Sequence, residues 1–277
     1  MNITTKPQEF RLAAVQMVST PNVTENLMAA SHLIRQAAEA GAQLVLLPEY
    51  FCLMGLKDHD KITIREKYGA GLIQDQLAQL AQELKIYIVA GTIPLETEYV
   101  AKVHNSTLVF DPDGKNIARY DKMHLFSFQT ADEHYDEANT LIAGSSPGLL
   151  EINHNGVSWK MGLSICYDLR FPELYRALGE VDCHLVPAAF TYTTGKDHWE
   201  ILLRARAIEN QCYVLASAQG GTHVNRRRTW GNSMFIDPWG DIEQCLVAGE
   251  GVILGTLSKN KLDAVRSKLP ALLHRKL

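Results

Sequence analysis

SICYDLRFPEL, residues 164–174, places a thiol at the end of an apolar run and follows it at once with an acid, an arginine and a proline. The preceding KMGLSI has the make-up of a buried strand, and a proline at the first helical position opens a helix. Cys166 therefore falls on a strand-to-helix turn. Such a turn exposes a side chain above the sheet, and amides at a helix N-terminus favour a thiolate and bind an oxyanion. Cys166 is a candidate nucleophile, with a buried inert sulfur as the alternative. Cys52, Cys183, Cys212 and Cys245 lie in apolar runs and read as buried thiols. Five cysteines without a C-x-x-C pair point to reduced thiols, with neither disulfides nor a metal site.

The same alternation of strand and helix runs along the chain. Short runs rich in valine, isoleucine and leucine predict strands at 11–18, 43–47, 86–91, 106–110, 117–121, 157–165, 183–189, 212–218, 232–237 and 251–257. Helical spacing predicts helices at 24–40, 71–85, 172–178, 197–210 and 261–268, the fourth opening on a D-H-W-E capping box at 197–200. DPDG at 111–114 and DPWG at 237–240 are turn signals between apolar runs, which mix antiparallel pairs into the sheets. No linker and no internal repeat are visible, so the chain reads as a single α/β domain over residues 1–277, with 1–9 expected to be flexible.

The chain of 277 residues is 46% hydrophobic and 21% charged with a net charge of -4, a soluble globular composition without the basic field of a nucleic-acid binder. No signal-like or membrane-spanning apolar stretch is present, and a cytoplasmic protein with no membrane partner is expected.

Two further residues stand where Cys166 stands, just past a buried run. Glu49 follows QLVLLP, and a carboxylate there is costly unless paired or functional; a solvated strand-end acid is the alternative. Lys122, in RYDKMHLF, follows a hairpin strand, and a surface charge is its ordinary reading. His124, two residues on, is a rival base, and His198 offers a second cysteine–histidine pairing. Adjacent strands present their ends along one edge, so acid, lysine and thiol could meet. Their chemistry is complementary: the carboxylate takes the thiol proton, the thiolate attacks a carbonyl, and the ammonium holds the oxygen that becomes negative.

LLPEYF at 46–51, YDKMHLF at 120–126 and SICYDLRFPEL resemble the three catalytic motifs of the nitrilase, or carbon-nitrogen hydrolase, superfamily, in its order and spacing. The likeness spans roughly residues 10–270. It implies a four-layer α-β-β-α sandwich with mixed sheets, Glu49 as general base, Lys122 as oxyanion-stabilising cation and Cys166 as nucleophile. In EANTLIAG it places Glu137 as a supporting catalytic group, with Glu133 as the local competitor. No metal and no organic cofactor are implied, and the family pairs subunits, so a homodimer or higher homo-oligomer is expected, with the 259–277 tail at subunit contacts. The segments AAFTYTTGKDHWE and RARAIENQCYVLASAQGGTH resemble the branch that contains deaminated glutathione amidase and omega-amidase, which implies a small-molecule substrate: the primary amide of a carboxylate-bearing acid. The backbone amide of Tyr167 would share the oxyanion. Arg170, Thr194 and His198 are the candidate substrate-binding side chains, and the arginines at 226–228 could meet a longer peptide-like acid at the pocket mouth.

Overall fold

The computed structural model describes residues 8–130 and 134–276. The first half of the chain runs β1 (Glu9–Gln16), α1 (Val23–Glu39), β2 (Leu44–Leu46), α2 (Asp60–Thr63), α3 (Leu72–Leu84), β3 (Tyr87–Glu96), β4 (Val103–Phe110) and β5 (Asn116–Asp121). A small hairpin, β6 (Ser127–Gln129) and β7 (His134–Asp136), precedes β8 (Gly148–His154) and β9 (Val157–Leu163). Then come α4 (Pro172–Ala177), β10 (Cys183–Ala188), α5 (Tyr192–Asn210), β11 (Tyr213–Ala218), β12 (Ser233–Ile236), β13 (Ile242–Leu246), β14 (Gly251–Ser258) and α6 (Lys259–Lys268).

These strands form two six-stranded sheets, in spatial order β14-β1-β2-β3-β4-β5 and β13-β12-β11-β10-β9-β8. Each has three parallel strands, an antiparallel hairpin on one side and an antiparallel strand closing the other. The two D-P-x-G turns occupy equivalent places, joining β4 to β5 and β12 to β13. In both, the aspartate Oδ1 accepts from backbone amides two and four residues on, at 2.9 and 2.9 Å for Asp111 and 2.9 and 2.8 Å for Asp237. The two halves thus share a topology that the sequence reading did not find, because strands of one topology are free to diverge in side chain.

Period-two alternation sorts the strands of the first sheet between two cores. Leu12, Ala14, Leu44 and Leu46 face the second sheet and pack with Trp159, Met161 and Leu163. Ala13, Val15, Val45 and Leu47 face α1 and α3. On the far side Trp199, Leu203 and Ala207 of α5 close over the second sheet. The result is an α-β-β-α sandwich.

Three expectations are corrected. α5 begins at Tyr192, not 197: the Thr191 side chain caps it by accepting from the amide of Thr194 at 3.3 Å, so Asp197 lies inside the helix. Gly195, which looks like a helix breaker, is there because a Cβ would meet Trp230 Cβ at 2.3 Å. Glu9, expected within the flexible segment, pairs with Ser258 on β14, while residues 1–7 lie outside the described residues. Strands β6, β7, β8 and β13 and helix α2 were not foreseen; β13 is exposed along most of its length, so hydrophobic patterning gives it no signal.

Candidate active site

Glu49 follows β2, Lys122 follows β5 and Cys166 follows β9, and the sandwich brings all three together. Glu49 is 1% exposed, Lys122 1% and Cys166 8%. The turn carrying Glu49 is fixed from below: a Cβ on Gly91 of β3 would sit 2.0 Å from the carbonyl oxygen of Leu47, so the β2 end closes against bare backbone. Tyr50 takes the left-handed conformation, φ 57°, and its amide donates to Thr92 Oγ1 at 2.8 Å.

Each oxygen of Glu49 has partners. Oε1 accepts from Asn105 Nδ2 and from Lys122 Nζ, both at 2.9 Å, and Oε2 accepts from the amide of Ala189 at 2.9 Å. Lys122 Nζ also donates to both oxygens of Glu137, at 2.9 and 2.8 Å. Glu137 is held in turn by the Tyr50 hydroxyl at 2.8 Å and the amide of Phe126 at 2.7 Å. Cys166 lines the same cleft as Glu49 and Glu137.

Burial alone would strip Lys122 of its proton, yet the charges of Glu137 and Glu49 hold its pKa above that of an ordinary lysine. Burial pushes Glu137 up, and the Lys122 ammonium overrides it, holding the carboxyl below its usual range. Burial and then the charge of Glu49 push the Cys166 thiol well up, with Lys122 pulling the other way. Burial and the Glu49 carboxylate thus both favour the neutral thiol over the thiolate.

Cys166 sits at φ 49° as the first residue of a 3-10 turn, Cys166–Arg170, a strained conformation of the kind that clusters at functional sites. The buried Asp168 holds this turn. Its Oδ2 accepts from the amide of Ile165 at 2.8 Å and the Tyr120 hydroxyl at 2.7 Å, while Oδ1 lies 3.0 Å from the amide and 2.7 Å from Nδ1 of His124. One carboxylate therefore ties the segment carrying Lys122 to the turn carrying Cys166. Arg206 of α5 secures the far end by donating twice to the carbonyl of Leu169, at 3.1 and 2.7 Å.

Glu49, Glu137 and Cys166 lie in a narrow cleft of about 10 Å³ with Tyr167, Arg170 and Thr194 on its walls. Phe126, Glu137 and Arg227 are shared with a broad cavity of about 470 Å³. A buried carboxylate and thiol on a cleft, with an ammonium paired to the carboxylate, are groups that can serve as proton acceptor, nucleophile and electrophilic cation.

A model of the carbon-nitrogen hydrolase family matches residues 11–267. The chain belongs to the carbon-nitrogen hydrolase family. Among relatives of this hydrolase, the deaminated glutathione amidase of Synechocystis is 43% identical over 277 residues, covering 96% of this chain and 98% of that protein. An omega-amidase of Xenopus tropicalis is 36% identical, covering 95% and 93%. The crystal structure of Saccharomyces cerevisiae Nit3, a nitrilase-superfamily protein, superposes with a TM-score of 0.82 at 30% identity, covering 95% of each chain. Family and relatives make this chain a hydrolase acting on amides.

The hydrolase distributes the remaining sequence candidates unevenly. Thr194 is buried, with its hydroxyl 2.9 Å from that of Thr191. Arg170 lies over the rings of Tyr167 and Phe190, 5.8 and 5.4 Å from their centroids. His198 is exposed and does not line the cleft; it touches Arg170 Nη1 at 3.3 Å from outside, because the earlier start of α5 turns it to the surface. His124 is stacked on Phe171 at 3.8 Å and engaged by Asp168, away from the cleft lining, so neither histidine stands as the base for Cys166. Glu133 lies outside the described residues. Sequence reasoning missed Tyr50, Asn105 and Asp168. Asp168 had a signal, its place inside the motif, whereas Asn105 in a plain strand had none.

Proposed function

We propose that this carbon-nitrogen hydrolase cleaves the amide of a small carboxylate-bearing acid through a thioester on Cys166. Glu49 takes the thiol proton as sulfur adds to the carbonyl, and Lys122 and the amide of Tyr167 receive the oxyanion. Glu49 returns the proton to the departing amine, then activates the water that cleaves the thioester. Glu137, bound to Lys122 through both oxygens, keeps the ammonium charged and aimed into the cleft. No step needs a metal or an organic cofactor. The observation that carries this reading is the position of Lys122 Nζ, 2.9 Å from Glu49 and 2.8 Å from Glu137, with Glu49, Glu137 and Cys166 on one cleft.

The acyl part meets Arg170 and Thr194, where a guanidinium and a hydroxyl suit a carboxylate. Deaminated glutathione is the proposed substrate, after the relatives that carry that name, and the cavity of about 470 Å³ leaves room for a leaving group larger than ammonia. An omega-amidase is the second reading, after the relative of that name. A panel of deaminated glutathione, 2-oxoglutaramate, succinamate, β-ureidopropionate and a nitrile separates them by kcat/KM. The proposal expects the first compound to lead. A lead by 2-oxoglutaramate selects the second reading, and equal rates for amides with and without an acyl-side carboxylate would remove the anion pocket. No described helix is long and apolar enough to cross a membrane; the enzyme is proposed to work in the cytoplasm as one domain, and as a homodimer with its C-terminal tail at the subunit contact. Light scattering at micromolar concentration tests the assembly, and a monomer would refute it.

A further inference from the structure

The mechanism leaves one cation beside the reacting atoms without a task. Residues 221–229 form a tight loop, closed by the amide of His223 on the carbonyl of Arg227 at 2.9 Å and the amide of Thr229 on that of Gly221 at 2.9 Å. Asn225 Nδ2 anchors it to the carbonyl of Gly55 at 2.7 Å, and His223 Nδ1 lies 2.9 Å from the carbonyl of Ser19. The chain turns at Arg226, φ 69°, and the turn sends three consecutive arginines in different directions. Arg226 and Arg228 are exposed, the latter 3.9 Å over the ring of Tyr192. Arg227 turns inward, 5.1 Å above the ring of Tyr135, and its Nη2 donates at 3.0 Å to the carbonyl of Ala189, the residue whose amide holds Glu49.

Lys122 takes both carboxylates of the site, and among the described residues Arg227 has no salt bridge of its own. Its Nε is buried without an acceptor. A guanidinium held that way is expensive unless an anion joins it. Its place says which anion. Arg170 and Thr194 stand on the cleft wall, and the cleft, about 10 Å³, has no room for a peptide-like amine. The broad cavity on the other side of Arg227 has the volume of a small-ligand site, and Lys57, Lys61, Arg226 and Arg228 also line it, against Asp58 and Asp136.

We propose that Arg227 is the specificity-determining residue on the amine side of the scissile amide, binding the carboxylate that the departing amine carries. The inference rests on the amidase reading above. The planar fork of Arg227 matches a carboxylate in two parallel hydrogen bonds, which a lysine cannot reproduce.

The test uses the Cys166→Ala enzyme, which binds without turnover, and two probes: N-succinyl-glycylglycine and its C-terminal amide. Isothermal titration should give the acid about 10- to 100-fold tighter binding than the amide, the range of a charge-assisted hydrogen-bonded pair. Arg227→Gln should bring that ratio near one, and Arg227→Lys should keep part of it. No preference for the acid in Cys166→Ala, or a preference that survives Arg227→Gln, overturns the proposal. Turnover of the acid by the unmodified enzyme is measured separately; a binding preference without hydrolysis would sustain Arg227 as an anion site and count against the amidase reading.

Discussion

Glu49 collects donors from three directions: Asn105 on β4, Lys122 beyond β5 and Ala189 beyond β10. Only a proton acceptor at that point makes Cys166 useful, because burial and the charge of Glu49 hold its thiol well above the ordinary cysteine range. Glu49→Gln keeps the shape and removes the acceptor, so kcat should fall about 10²- to 10⁴-fold while circular dichroism stays unchanged. A variant within tenfold of the parent would remove Glu49 as base. Lys122→Met should lose at least about 10²-fold in kcat, the cost of one oxyanion donor, and should melt earlier because Glu49 and Glu137 then face each other uncompensated. The companion Glu137→Gln, which restores the charge balance around Lys122→Met, should recover part of the lost melting temperature and none of the activity. Glu49, Lys122 and Cys166 were legible because each stands just past an apolar run, where a polar side chain needs a reason; resemblance to the family supplied the roles. Asn105 was not legible, since its role exists only once β4 pairs with β3 and so comes near the end of β2.

At the scale of elements, the turn Cys166–Arg170 holds the proposed nucleophile in a strained conformation, and Asp168 is its anchor. Asp168→Asn replaces an acceptor by a donor facing an amide, a hydroxyl or an imidazole. Stability should drop by about 1–3 kcal/mol, the penalty of one unsatisfied buried group, and displacement of the thiol should lower kcat about 10²-fold with KM little changed. Intact kcat in a variant that is destabilised would reduce Asp168 to a purely structural role. The elements themselves were read well where burial is one-sided: α1, α3 and the parallel strands lie within a few residues of their expected places. Two failures have local causes. β8 alternates buried and exposed residues along its length and leads into Asn155–Gly156, both at positive φ, 52° and 79°, a two-residue hairpin signal that went unread. α5 was started late because D-H-W-E at 197–200 has the form of a capping box, whereas the Thr191 side chain is the cap.

Across the whole molecule, the repeated sheet topology places Glu49 after the middle parallel strand of one sheet and Cys166 after the first parallel strand of the other, and the sandwich closes the distance between them. The paired D-P-x-G turns were the visible trace of that repeat. The second sheet also carries a buried histidine the chemistry does not use. His184 is fully buried, neither ring nitrogen has a hydrogen-bond partner, and burial, with Arg206 nearby, pushes its pKa down to about 3. The unfolded chain binds this proton near pH 6.5, so its neutral form supports the fold fully above that pH and the support is lost as pH falls toward 3. The slope should approach about 1.4 kcal/mol per pH unit. Urea unfolding between pH 7 and 4 should show that loss, flattened in His184→Phe; identical slopes in the two proteins would exclude the histidine. The central claim, a thioester on Cys166, is tested most directly by rapid-quench intact mass spectrometry with a turned-over amide. The expected result is an adduct equal to the acyl group, mapped to Cys166 and absent with all turnover in Cys166→Ala. Turnover persisting in Cys166→Ala, or an acyl group found on another residue, would contradict it.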